Sequence, residues 1–394
     1  MPNKVLRFFF ILLWFLPAVM TFFQLDSYSV TTVVVIFLFN LSYYLYNPRF
    51  AFTKKFINIF IIVVCGILIH SVATSLYFNL SFDLIRNILS IPFVCIMLVG
   101  AYNFSKVILA TDGKSITKLL HSFFYFYLGF VALSFVIPTF IYSKPIFPYP
   151  EPSHMALFFG PIVGYLVIYS KTEKKRFYFL FAGIVVALIV KNMTLLVTMV
   201  ILAVFVYHIY VVPILLIGGA GIYFFADIEY FLSRLDFKNM QSTNNLSTLV
   251  YAKGFQLMEE GLRMSDGLGI GFQQLGFVDV RTEIGDYLIK VLDGLELNSR
   301  DGGFTAAKLV AEFGIVGILV IATYLYYLVK QWFCFKKLSL NSISAQDALF
   351  YASIITIFSE IFFRGIGYFT ATMFLFFSVL FMRSLMKNKL KNIK

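Results

Sequence analysis

The chain has 394 residues, of which 60% are apolar and only 13% charged, and its mean hydropathy is +0.86. An ordinary soluble domain carries roughly 25% charged residues. The 32 Lys+Arg and 20 Asp+Glu present cannot cover the cores a soluble chain of this length would build. A soluble enzyme, a disordered chain and a fibrous chain are excluded, and lipid is the solvent for most of the sequence.

Lys4 and Arg7 precede a long apolar run to Leu25 without a small-x-small cleavage pattern. This predicts a retained first span at 6–25 rather than a signal peptide. A spanning helix needs about 20 mostly apolar residues, and further spans are expected at 28–46, 56–76, 85–104, 119–142, 154–170, 177–190, 193–209 and 211–226. Only Lys191 and Asn192 separate 177–190 from 193–209, so that pair reads as a tight hairpin or as one kinked element.

A polar stretch at 227–303 follows, with twelve acidic and seven basic residues. Loops this long are rarely structureless in a compact protein. Thr248 to Met264 reads as a helix, with Leu249, Ala252, Phe255, Gln256 and Glu259 near one face. Gly267, Gly269, Gly271 and Gly276 break it and turn the chain. Spans at 304–329, 348–363 and 366–382 complete the set. The expected fold class is an all-α polytopic membrane protein with about twelve transmembrane helices. Residues 1–226 hold nine of them, 227–303 form one large loop containing helices, and 304–394 hold the last three and a C-terminal tail.

The net charge of +12 would suggest nucleic acid for a soluble protein. In a membrane protein it reports topology instead, because Lys and Arg gather on cytoplasmic loops. Twelve crossings put 20 of the 32 basic residues on the side of both termini, including Lys171, Lys174, Lys175 and Arg176. Both termini are therefore expected in the cytoplasm. Cys65, Cys95 and Cys334 lie in or beside apolar runs, which disfavours a disulfide framework, and no Cys/His spacing suits a metal. No motif for ATP, for zinc hydrolysis or for a serine nucleophile is present.

Charges within spans are costly and commonly functional. Here they gather toward one face: Asp83 and Arg86, Glu151 and His154, Lys308 and Glu312, Glu360 and Arg364. Pro150-Glu151-Pro152-Ser153-His154 is the sharpest local feature. Pro152 suits a first helical turn, and positions three apart then share one side of the helix. A carboxylate beside an imidazole can serve as a general base, and a capped helix with a surface histidine is the bland alternative. Arg86, Arg263, Arg281, Arg300 and Arg364 all fall on the outer side. Their planar forks match phosphate oxygens, and salt bridges to the acids of the loop are the alternative.

Several of these segments resemble one superfamily. Ser247–Met264 running into Asp266-Gly-Leu-Gly-Ile-Gly-Phe272 resembles the large periplasmic loop of O-antigen polymerases and ligases. Arg300-Asp301-Gly-Gly and Leu309-Val-Ala-Glu312-Phe-Gly-Ile-Val-Gly317 resemble its exit and the span that follows. Glu151-Pro-Ser-His154 and Asp83-Leu-Ile-Arg86 are similar to motifs of the polymerases (Wzy). Ligases usually show a His-Asn pair where this chain has Asp301-Gly302-Gly303, which favours the polymerase.

The resemblance implies a metal-independent, cofactor-free glycosyltransferase of the bacterial inner membrane. Its substrates would be oligosaccharide repeat units on undecaprenyl pyrophosphate, joined at the periplasmic face by inverting transfer. A chain-length regulator and a flippase would act beside it, and no nucleic acid. Glu151 and His154 are the expected catalytic pair. Arg86, Arg263, Arg281, Arg300, Arg364 and Lys308 are expected to bind the pyrophosphate and substrate. The alternatives are an O-antigen ligase and a lipid-linked oligosaccharide flippase or other transporter.

Overall fold

The computed structural model describes residues 2–24, 27–47, 51–78, 84–136, 146–149, 151–208, 245–294 and 300–391. The expected span at 211–226, the start of the polar stretch and Asp83 lie outside these. The described residues form thirteen α-helices and one short 3-10 turn. Eight precede the polar stretch: α1 Pro2–Phe22, α2 Tyr28–Tyr46, α3 Lys54–Tyr77, α4 Leu84–Ala110, α5 Gly113–Val136, α6 Pro152–Tyr169, α7 Glu173–Ile189 and α8 Met193–Tyr207. The polar stretch contributes α9 Leu246–Met264 and α10 Glu283–Val291, and the chain ends with α11 Thr305–Lys336, α12 Ala345–Phe362 and α13 Ala371–Lys391. Seven of them (α1 to α6 and α11) are long and apolar enough to cross a membrane.

Side-chain caps set many of the helix starts. Ser27, Thr53, Thr172, Asn192, Asn245, Thr282 and Ser344 each accept a backbone N–H from the first turn that follows. The cap at Asn192 resolves the 177–209 region into two separate helices, α7 and α8, joined at Lys191, whose φ is +51°.

The core is built on α12 and α6, both buried along most of their length. Gly160 and Gly164 let them approach. A Cβ at Gly164 would lie 3.3 Å from the side chains of Ala352 and Thr356, and one at Gly160 would lie 3.1 Å from Thr198 on α8. Small residues one turn apart are the usual means of close helix contact where lipid removes the hydrophobic drive. By contrast α3 exposes Ile61, Ile62, Ile69 and Leu76, as a helix solvated by lipid would.

Three elements depart from the sequence reading. The expected span 304–329 is a helix broken at Gly314, where φ is +56° and ψ −131°. A glycine inside an apolar run does not announce a break, and this one depends on a distant partner. The Asp266–Phe272 segment lies along the broken backbone. The N–H groups of Ile270 and Gly271 donate to the carbonyls of Ala311 and Glu312 at 2.8 Å, and the N–H of Ile315 donates to that of Gly267 at 2.9 Å. The glycine-rich stretch thus does more than turn the chain. A Cβ at Gly269 or Gly314 would fall on the opposing backbone.

The expected span 366–382 begins only at Ala371, and residues 363–370 are non-helical. Thr370 supplies the new start, accepting the N–H of Met373 at 3.1 Å. Finally, α9 buries Leu249, Ala252, Gly254, Leu257 and Gly261 and leaves Phe255 and Glu259 exposed. Its contact face is centred on glycines that hydropathy ignores. A Cβ at Gly254 would meet Phe304 at 2.6 Å, and one at Gly261 the Cα of Ala311 at 2.8 Å.

Candidate functional site

Glu151 is the N-cap residue of α6, extended at φ −133° and ψ 142°, with proline opening the helix behind it. That start carries the side chain of His154 to within 4.0 Å of Glu151, Nε2 to Oε2. Ser153 donates its hydroxyl to the same Oε2 at 2.9 Å. The second donor comes from the far end of the chain. Arg364 Nη2 donates to Oε2 at 2.7 Å. No hydrogen bond to Glu151 Oε1 is present among the described residues, and the side chain is 49% exposed.

Arg364 is held by the turn that ends α12. Its N–H donates to the carbonyl of Ser359 at 2.9 Å, and the N–H of Gly365 donates to that of Gly303 at 3.2 Å. Glu360, fully buried on the last turn of α12, accepts hydroxyl hydrogen bonds from Thr370 and Thr372 and so anchors the far end of the 363–370 segment. Neither Thr was singled out by the sequence reading.

His154 is 8% exposed rather than at an aqueous edge. Its ring lies 5.9 Å from that of Tyr28, at the start of α2. Three buried polar atoms here have no hydrogen-bond partner among the described residues: His154 Nδ1, Tyr28 Oη and Arg364 Nε. Unpaired buried polar groups are uncommon and expensive, and two of these three belong to His154 and Arg364, the side chains paired with Glu151. Burial pushes the Glu151 carboxyl up, but Arg364, His154 and the Ser153 and Arg364 hydrogen bonds outweigh it, so it titrates below the ordinary carboxylate value.

Helix α9 lies beside this corner, and α10 packs against α9. They share a small core of Leu249, Val250, Ala252, Ile284 and Leu288. Tyr251 of α9 reaches Phe304 at 4.9 Å and stacks near-parallel with Phe363 at 6.3 Å, next to Arg364.

The six basic residues singled out in the sequence separate into four groups. Arg364 alone joins Glu151 and His154. Arg86 and Arg300 converge on Phe277, their guanidinium carbons 3.3 Å and 4.7 Å from the ring centroid, and Arg86 Nε donates to the carbonyl of Gln273 at 2.9 Å. Lys308 is 2% exposed and pairs with buried Glu312 at 2.9 Å. Arg263 and Arg281 are largely exposed and pair with nearby Glu260 and Asp279. Among the described residues no group of three or more His, Cys, Asp or Glu is placed to hold a metal.

The arrangement can accept a proton at Glu151 Oε1, hold that carboxylate in place through Oε2, and offer guanidinium donors to an anion. Comparison of the chain with protein-family models, with curated proteins and with solved structures finds no match.

Proposed function

We propose that the chain is a membrane glycosyltransferase that polymerises oligosaccharide repeat units carried on undecaprenyl pyrophosphate. The single observation that carries this reading is the state of Glu151. One carboxylate oxygen is fixed by Arg364 and Ser153, and the other is open. In this scheme Glu151 Oε1 takes the proton of an acceptor sugar hydroxyl. The hydroxyl oxygen bonds to the anomeric carbon of the donor glycan, and the bond from that carbon to the pyrophosphate oxygen breaks with inversion. The lipid pyrophosphate leaves with the electron pair, and guanidinium groups offset its developing charge. Arg364 gives Nη2 to Glu151 and so orients the base, and its charge offsets the charge developing on the pyrophosphate. His154 stands behind the carboxylate as its neighbour on the helix.

The proposed setting is twelve crossings of the bacterial inner membrane, with both termini in the cytoplasm and 227–303 in the periplasm. The bias of basic residues supports this orientation. The broken helix α11 is a feature transporters also use, where a half-helix end lines a central substrate site. Here the freed backbone groups are taken up by the Gly267–Gly271 segment, which leaves them no substrate to bind and favours the enzyme.

The test is polymerisation by purified protein in a lipid bilayer, supplied only with lipid-linked repeat units and read as a ladder of products. A strain lacking the gene should make lipid A core bearing one repeat unit. Core bearing none would indicate a ligase or a flippase instead.

A further inference from the structure

Outside the Glu151 corner, Glu312 is a densely connected buried group, fully buried on the half of α11 before the break. Its Oε2 accepts the N–H of Gln273 at 3.0 Å and the hydroxyl of Tyr368 at 2.9 Å. Its Oε1 accepts the N–H of Leu275 at 3.3 Å and pairs with Lys308 Nζ at 2.9 Å. Lys308 Nζ also donates to the carbonyl of Arg300 at 2.5 Å.

Three of these contacts lead to an arginine. Gln273, held by its N–H, offers its carbonyl to Arg86. Arg300 is held by its own carbonyl. Tyr368 belongs to the 363–370 segment that carries Arg364. A buried ion pair is weak evidence for stability, because desolvation offsets most of the attraction, so this pair calls for another explanation.

We infer that Lys308 and Glu312 are positioning residues: one buried pair that fixes three separate segments, and with them Arg86, Arg300 and Arg364, in a single register. The idea rests on the proposed reaction for its purpose, and its geometry is independent of that reaction. Lys308 then serves the site through the backbone it holds, with no ammonium left to meet a phosphate. The arrangement also explains why the glycine-rich segment must lie against the break in α11: that contact brings the Gln273 and Leu275 N–H groups to the carboxylate.

The test uses two variants of the full chain in bilayer discs. Glu312→Gln leaves Lys308 buried without its counter-charge and should lower thermal stability. The double variant Lys308→Met with Glu312→Leu removes both charges at similar volume, so the cost of the lone buried charge is relieved and stability should return in part. It should stay short of wild type because the Gln273 and Leu275 N–H groups and the Tyr368 hydroxyl lose their acceptor. Activity should not return, because the three segments stay unpinned. Ladder formation should remain down by about 10²-fold, the usual effect of small misplacement at a reacting centre. Amide hydrogen exchange should speed up in 270–276 and in 363–370, and stay slow in 154–162 of α6. Wild-type exchange in either segment of the double variant would overturn the proposal. So would recovery of rate together with stability, which would make the pair a structural filler. If wild-type protein makes no ladder at all, the polymerase reading fails, and the exchange measurement still decides the positioning role.

Discussion

Glu151 and Arg364 lie 213 residues apart in the chain and meet at 2.7 Å, Oε2 to Nη2, at the joint ends of α6 and α12. The contact does two things at once. It fixes one oxygen of a half-exposed carboxylate, and it brings a guanidinium within reach of whatever that carboxylate acts on. Among the described residues, Arg364 Nε, His154 Nδ1 and Tyr28 Oη are buried without a hydrogen-bond partner.

Removal of the open oxygen should be the most damaging single change. Glu151→Gln should lower polymer formation by about 10²–10⁴-fold, the range for loss of a general base, while His154→Gln retains substantial activity. Purified variants are compared by ladder length and initial rate. Equal ladders from Glu151→Gln and wild type would remove this carboxylate from the chemistry.

Arg364→Lys keeps the charge and loses the fork, so it cannot hold Glu151 and offer a second donor in the same geometry. Arg86→Lys loses both its Nε bond to Gln273 and its planar contact with Phe277. Both variants should insert normally and lose most activity. Arg281→Lys, at an exposed pair with Asp279, should match wild type. Full activity in both of the first two would show that these arginines serve only as anchors.

The pH dependence follows from the direction of the Glu151 shift. The carboxyl titrates below its ordinary value of 4.5, so the folded state favours the ionised form. Its contribution to stability is complete above the unfolded value and is lost as pH falls through the lower folded value. The rate attributable to Glu151 should be flat from neutral pH down to about 5 and fall only below the ordinary carboxylate range. A rate profile across pH in discs checks this, and a fall centred well above pH 5 would remove Glu151 as the titrating base.

Gly314→Ala should impair folding far more than Gly66→Ala. Gly314 sits at positive φ with the Gly267 carbonyl where a Cβ would go, and Gly66 has nothing within 4 Å. Positive φ alone costs a residue with a Cβ about 1–2 kcal/mol. Thermal unfolding of the two variants in detergent, read by size-exclusion profile, should separate them clearly.

The proposed topology gives a labelling result. After replacement of the three native cysteines, Asp279→Cys should react with an impermeant reagent from outside the inner membrane. Lys391→Cys should react only once the membrane is opened. Reaction of both from the same side would sink the twelve-span arrangement.

The sequence by itself determined where apolar helices lie, because a helix solvated by lipid must be continuous and apolar over its length. It also determined the Glu151 and His154 pairing, since proline opening α6 fixes a spacing of three on one helix side. Tertiary structure alone decided the rest. Gly314 reads as an ordinary member of an apolar run until the carbonyl of Gly267 arrives to take the N–H of Ile315. Residues 366–370 read as the start of a span until Glu312 and Glu360 take up the hydroxyls of Tyr368 and Thr370. The face of α9 was misplaced because its contacts run through Gly254 and Gly261, which bury backbone instead of side chain. Periodicity reports which side chains avoid water. It is blind to which backbone groups and charges find each other across hundreds of residues, and the candidate site is made of those.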